Sequence, residues 1–381
     1  MPRPGARNVA GPPDLTNRTT GVRALSKSVL TQNEIEQTCV NLPTEKSPGP
    51  DRIPNEFYKV FAKLLSPLLA RFYNDARRSK KLPKGFNDGI VVILYKKGNR
   101  RDVRNYRPIT LLNSDYKIMT RILAKRMLSI VTQFVSDNQI GFVPYTFIAE
   151  SAMLVKLIQA HLDKIDDGGI LVFCDLEKAF DRCDWNYLNK AIDRLKFTES
   201  HKSWFNLLYN EKQPPSRKAY VNGKLSRKYT VSVGVAQGCP LSPLTFLVII
   251  ESLTRLIDND DRIQGLDLGG TVLKSRSFAD DTWWFQRSHA EESHYGEHMK
   301  TFALGTNQVE NETKREKLPV GNFTKKRIED LPGRSENYTK QGEWLISLGI
   351  PLGNGFSEFA FWKSLYEKAK SHLCKHAKSL T

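Results

Sequence analysis

Phe278-Ala279-Asp280-Asp281-Thr282-Trp283-Trp284-Phe285 joins two adjacent carboxylates to an apolar run with the composition of a buried strand. Aspartate is disfavoured in strands, and neighbouring carboxylates repel each other unless a cation neutralises them. Upstream, Ile170-Leu171-Val172-Phe173-Cys174 is a second apolar run, and it ends in Asp175. Acidic groups at the ends of buried strands suit a hard, oxygen-ligated divalent ion, and two such ions can clamp the attacking and leaving oxygens of a phosphoryl transfer. Taken alone, Asp280-Asp281 reads as a surface turn or a helix N-cap; Asp175 at another strand end tilts the reading to a metal. Residues 272–278 and 282–286 read as the two strands of a hairpin whose tip holds the carboxylates.

The composition agrees with an anionic partner. The chain has 381 residues, with 58 Lys and Arg against 41 Asp and Glu, a net charge of +17. Such an excess suits either a polyanion or a generic basic surface. An apolar fraction of 40% supports a sizeable core and more than one folded unit. The apolar stretch near Leu244 to Ile250 is too short to span a bilayer. Residues 1–20 are rich in Pro, Gly and Arg, lack the apolar centre of a secretory signal, and read as disordered. Cys39, Cys174, Cys183, Cys239 and Cys374 form no C-x-x-C pair, which argues against a zinc ribbon and fits a reducing compartment.

Along the chain, Glu34 to Leu42 reads as a short helix. A further helix begins near Pro54, with Phe57, Val60, Phe61, Leu64 and Leu65 on one face, and Pro67 is expected to interrupt it. Gly89 to Tyr95 reads as a strand, followed by a loop bearing Lys96, Lys97, Arg100, Arg101, Arg104 and Arg107. The helix expected over 117–131 carries Lys117, Arg121 and Lys125 as a basic stripe, either solvated or laid against a phosphate backbone. Helices are expected at 149–162, 185–195, 244–257 and 291–304. Strands are expected at 218–221 and 228–233, with an Asn222-Gly223 turn between them, and at 343–350. The order matches an α+β fold, a split β-α-β arrangement around an antiparallel sheet with one face free for a long ligand.

Two more segments carry chemistry. In Asp175-Leu176-Glu177-Lys178-Ala179-Phe180-Asp181, the Phe180 ring reads as a core residue or as a wall against the sugar of a nucleotide, while Glu177 and Asp181 read as caps or ion-pair partners. Gly234-Val235-Ala236-Gln237-Gly238-Cys239-Pro240-Leu241-Ser242-Pro243 joins a strand to an apolar helix, and Gly238 permits close backbone approach.

Together with Phe278 to Asp281, these segments resemble motifs A, B and C of reverse transcriptases. Lys46 to Asp51 with Pro54 to Lys59 resembles the N-terminal extension of the non-LTR (LINE-type) retrotransposon enzymes. Asn105 to Asn113 and Gln139 to Pro144 resemble their fingers motifs. Asn311 to Lys314 with Leu318 to Gly321 resembles motif D, and Leu348-Gly349-Ile350 the primer-grip region.

The resemblance implies a right-hand polymerase that extends a DNA primer on an RNA template with dNTPs. Its parts would be a disordered segment over 1–30, an N-terminal extension and fingers over 31–165, a palm over 166–355, and the start of a thumb or tail over 356–381. Asp175 and Asp280 would hold two Mg²⁺ ions, with Mn²⁺ able to substitute, and Asp281 would complete the acidic cluster. Phe180 would select the sugar. Arg107 and Lys96 would contact the triphosphate, Gln237 and Gly238 would line the nucleotide site, and Lys314 would act near the leaving pyrophosphate. The family and the absence of a secretory signal imply residence in the nucleus or cytoplasm. Ala236 departs from the Arg common in this loop, and Tyr95 from a common Pro. With the thumb expected to be largely missing, the alternative is a catalytically inactive remnant that only binds RNA or DNA.

Overall fold

The computed structural model describes residues 29–326, 330–331 and 337–377. The segment expected to be disordered, 1–30, lies outside the described residues apart from its last two. The chain forms two compact units. One comprises residues up to Pro144, Glu177–Leu256 and His298–Val309; the other comprises Tyr145–Leu176, Ile257–Glu297 and Glu310 onward. The described strands are β1 (Gly89–Tyr95), β2 (Tyr106–Leu112), β3 (Gly168–Asp175), β4 (Ser216–Val221), β5 (Lys224–Leu225), β6 (Tyr229–Thr230), β7 (Leu266–Asp267), β8 (Val272–Leu273), β9 (Ser275–Phe278), β10 (Asp281–Gln286), β11 (Glu316–Gly321), β12 (Trp344–Ser347) and β13 (Ile350–Gly353). With the helices between them, this is an α+β fold.

The first unit holds a mixed sheet in the order β2-β1-β4-β5, with β6 also on β4 and β1 running parallel to β4. Asn222 and Gly223 both take positive φ between β4 and β5, the two-residue hairpin turn that an Asn-Gly pair favours. The expected strand at 228–233 shrinks to β6, which pairs with β4. The helix Gln32–Val40 opens on a capping box: Thr31 accepts from the Glu34 N–H, and the Glu34 carboxylate returns a bond to the Thr31 N–H. That carboxylate also takes both Nε and Nη2 of Arg126, at 2.9 and 2.7 Å, tying this helix to Ser114–Leu128.

Two sequence expectations change here. The break near Pro67 lies instead at Phe61, between the helices Asn55–Val60 and Ala62–Ser79, and Pro67 sits inside the second. Proline removes the N–H that would have bonded the Lys63 carbonyl, and Ser66 Oγ donates to that carbonyl instead, at 3.4 Å. The apolar stripe of Phe57, Val60, Phe61 and Leu64 is also not the buried face: Val60 is 75% and Leu64 67% exposed, while Tyr58, Ala62, Ser66, Tyr73 and Ala76 are buried.

Asp115, in the first turn of Ser114–Leu128, gives a test of pH dependence. Burial pushes its carboxyl from 3.8 up to about 6; the Tyr116 N–H bond opposes this and the Asp51 charge adds to it. Below 3.8 both folded and unfolded chains are protonated; between 3.8 and about 6 the unfolded chain releases a proton that the folded chain keeps. Stability therefore falls as pH rises through this window. Asp115→Asn removes the penalty, and thermal melts should show stabilisation of roughly 2–3 kcal/mol at pH 7.5 and none at pH 3.5. A gain that did not vary with pH would assign the effect to packing.

The second unit is built on an antiparallel sheet in the order β11-β3-β10-β9. One face packs against the helix Ala149–Lys164 through Ala152, Val155, Ile158 and Leu162, which meet Leu171, Phe173, Trp283 and Phe285. The Trp283 indole N–H donates to Ser151 Oγ at 3.0 Å, which satisfies the polar atom of a buried ring. The opposite face is buried too. Trp284 stacks on Tyr295 at 5.0 Å, and the Lys317 ammonium pairs with Glu292 at 2.8 Å. β3 is buried from Gly168 to Cys174 and becomes accessible only at Asp175. The free face expected from the sequence is therefore absent from the centre of this sheet, and its accessible part is the end that bears the carboxylates. The strand expected at 343–350 is a hairpin, β12 with β13, turning at Leu348-Gly349.

Candidate active site

Strand pairing brings the carboxylates of the second unit together. Asp281, the first residue of β10, lies directly opposite Asp175, the last of β3. Directly opposed residues of an antiparallel pair project from the same face, with Cβ atoms about 4.5–5.5 Å apart. Alternation places both on the side of Phe173 and Trp283. Asp280 sits in the two-residue turn from β9 to β10, after Ala279 at φ 58°, since Phe278 pairs with Asp281. The hairpin with carboxylates at its tip is as the sequence indicates, although its first strand begins at Ser275 because Val272 and Leu273 pair with β7.

Lys314 joins this group. The Asn311 N–H donates to the carbonyl of Asp175 at 2.8 Å, anchoring the turn Glu312–Lys314 to the end of β3. From that turn the Lys314 ammonium bonds the Asp175 carboxylate. A positive charge thus already meets the acidic strand end. Among the described residues, no three Asp, Glu, His or Cys side chains converge as a ready-made metal centre.

Lys96, Arg107, Phe180, Gln237 and Gly238 belong to the first unit. Arg107 opposes Leu94 across β1 and β2, and the Lys96 N–H donates to Asn105 O at 2.9 Å. Two residues beyond Leu94, Lys96 continues the face that bears Arg107, so the two exposed cations share one side of the hairpin. Phe180 lies in the turn Ala179–Arg182, its ring stacked on the buried Phe246 at 5.4 Å and 15°. Glu177 pairs with Arg182 at 3.0 Å, the ion-pair role expected of it.

The loop after Gly234 is held from two sides. Its Val235 N–H donates to Phe180 O and its Gly234 N–H to Cys183 O, both at 2.8 Å. On the other side, the Thr110 N–H of edge strand β2 donates to Gln237 O at 2.7 Å. Gly238 has φ +120°, and a Cβ there would fall 2.6 Å from Thr110 O. Gly238→Ala should therefore destabilise the protein by roughly 2–4 kcal/mol, through strain and collision with backbone that cannot yield. Gly223→Ala is the comparison, since φ is +78° there but nothing lies within 4 Å of the new Cβ. Equal melting shifts for the two variants would show that the Thr110 contact does not matter.

A cavity of about 290 Å³ opens beneath this loop, lined by Gln237, Ala236, Asp181, Thr110, Trp185 and Tyr209 among others. Asp181 was read from sequence only as a cap or ion-pair partner. Burial raises its carboxyl above the usual range, opposed by the Lys178 charge and by a hydrogen bond from the Gln237 side chain. No local pattern links residues 181 and 237; only the folded loop brings them together.

The sequence is similar to those of known proteins. The family model for reverse transcriptase (RNA-dependent DNA polymerase) matches residues 95–330. The transposon TX1 uncharacterized 149 kDa protein of Xenopus laevis is 25% identical over 86% of this chain and 25% of its own length. The RNA-directed DNA polymerase from mobile element jockey of Drosophila melanogaster is 26% identical over 60% of this chain and 25% of its own. The Pol polyprotein from the type-2 retrotransposable element R2DM of the same fly is 25% identical over 67% of this chain and 23% of its own. The chain thus spans about a quarter of the length of these relatives. With the matched span covering more than half of its residues, this chain belongs to the reverse transcriptase family.

Proposed function

We propose that this chain is the polymerase part of a non-LTR retrotransposon protein, adding dNTPs to the 3′-hydroxyl of a primer on an RNA template. The observation that carries the reading is the register of Asp281 opposite Asp175, with Asp280 in the adjoining turn, inside the span that matches the family. In this reading residues 31–165 supply the N-terminal extension and fingers, 166–355 the palm, and 356–381 the start of a thumb or tail.

The donor set fits Mg²⁺. All three candidates are hard carboxylates, and Mg²⁺ is commonly held by one or two carboxylates plus substrate phosphates and water rather than by a closed protein cage. The cation already at Asp175, the Lys314 ammonium, indicates that this strand end accepts positive charge. Asp175, Asp280 and Asp281 would hold the ions, which when bound would stabilise charge on the attacking and leaving oxygens. The protein's own groups orient and neutralise. Arg107 and Lys96 present guanidinium and ammonium donors to a triphosphate. Lys314, beside Asp175, would supply positive charge near the leaving pyrophosphate. The Phe180 ring, held by Phe246, walls the sugar. The stripe of Lys117, Arg121 and Lys125, within a net charge of +17, suits contact with nucleic-acid phosphates.

Primer extension on an RNA template with Mg²⁺ and dNTPs tests the proposal, with Asp280→Ala in parallel. Extension by the parent alone is the expected result. Retained RNA binding with no extension by either protein would replace this reading with the binding-only one.

A further inference from the structure

The loop from Gly234 to Leu241 has its main chain fixed by residues 180, 183 and 110, yet the Gln237 side chain needs a separate constraint. A glutamine amide has two chemically different ends and rotates freely unless something distinguishes them. Asp181 can do so. It sits between Phe180 and Cys183, whose carbonyls accept from the loop, and its own carbonyl lies 2.6 Å from where a Cβ of Gly234 would stand. It lines the same cavity as Gln237. An ionised carboxylate only accepts, so it binds the NH₂ end of the amide and turns the carbonyl end away. We propose that Asp181 is a positioning residue for nucleotide binding, setting which end of the Gln237 amide meets the incoming dNTP.

This inference rests on the nucleotide-binding role proposed above for Gln237. In this role Asp181 acts through the amide rather than on the substrate. The Asp181 N–H donates to Lys178 O at 2.8 Å, a main-chain bond indifferent to the side chain.

The experiment measures dNTP affinity for the full chain bound to an RNA template and a primer that ends without a 3′-hydroxyl, so that binding is read without chemistry. Asp181→Leu, close in size but unable to accept, should raise the dNTP Kd about tenfold, the worth of one charge-assisted hydrogen bond. Asp181→Asn keeps an acceptor oxygen but adds a donor and loses the charge, so it distinguishes the amide ends less well and should fall between the parent and Asp181→Leu. Gln237→Met should resemble Asp181→Leu, and adding Asp181→Leu to Gln237→Met should cost nothing more, because both remove one interaction. An unchanged Kd for Asp181→Leu, or full additivity in the double variant, overturns the positioning role, as does an Asp181→Asn loss equal to that of Asp181→Leu. If Gln237→Met leaves Kd unchanged while the parent binds dNTPs, the role of Gln237 fails and the inference falls with it. If the parent retains no dNTP on primer and template, the polymerase reading itself fails.

Discussion

Asp175→Ala should lower the rate of nucleotide incorporation by about 10³-fold or more while leaving the fold intact. The expected loss follows from what the carboxylate does in each state. In the folded protein it closes β3 and takes the Lys314 ammonium, a contact in which Lys314 is half-exposed and Asp175 a quarter exposed, so its removal costs little stability. In the transition state it would hold an ion that neutralises several developing charges, worth several kcal/mol, and each 1.36 kcal/mol is tenfold in rate. A melting temperature within a few degrees of the parent, beside a rate loss of this size, is the expected pair of results. Asp175→Asn sharpens the test, since it keeps the shape but removes the charge, and should be nearly as inactive. A variant retaining a tenth or more of the parental rate would mean that Asp175 is not a metal ligand, and that the facing Asp281 and the turn residue Asp280 serve the strand end without it. Raising Mg²⁺ should rescue Lys314→Ala no more than the parent, because the lysine competes for the carboxylate rather than supplying a ligand.

The carboxylate strands were legible in the sequence because they break a rule. Apolar runs that end in Asp contradict strand propensity, and such contradictions mark functional positions. The same reasoning missed the β12–β13 hairpin for an instructive reason. Leu348 and Gly349 both adopt positive φ, yet leucine is not a residue from which a two-residue turn is predicted, so Glu343 to Ile350 read as one strand. Ala279 is a parallel case, at φ 58° in the turn before Asp281; there the two aspartates marked the break where alanine could not. The exposed stripe from Phe57 to Leu64 shows the limit of periodicity: spacing finds an apolar face, but not which face the rest of the chain covers. The pairing of Asp181 with Gln237 lies beyond local pattern altogether, because it depends on two segments more than fifty residues apart meeting across one loop.

Phe180→Val should raise ribonucleotide incorporation relative to deoxynucleotide incorporation by about 10–100-fold. Discrimination against a 2′-hydroxyl by a ring is steric, a device that rejects the wrong substrate rather than rewarding the right one. It works only if the ring cannot retreat. Here it is backed by Phe246, which is fully buried, in a nearly parallel stack at 5.4 Å, and the Phe180 carbonyl is held by the Val235 N–H. Shortening the side chain to valine opens more than enough room for a hydroxyl group, and the deoxynucleotide loses only wall contact, so its kcat/KM should fall less than tenfold. Phe246→Leu separates wall from support. It leaves the Phe180 ring in place but removes the surface it stacks on, and should relax discrimination by a smaller factor than Phe180→Val. Were the ratio of ribonucleotide to deoxynucleotide incorporation unchanged in Phe180→Val, the ring would be a core residue only, and sugar selection would have to come from elsewhere in the protein. A selective loss in Phe246→Leu alone would place the determinant in the helix Ser242–Asp258 rather than in the turn that bears Phe180.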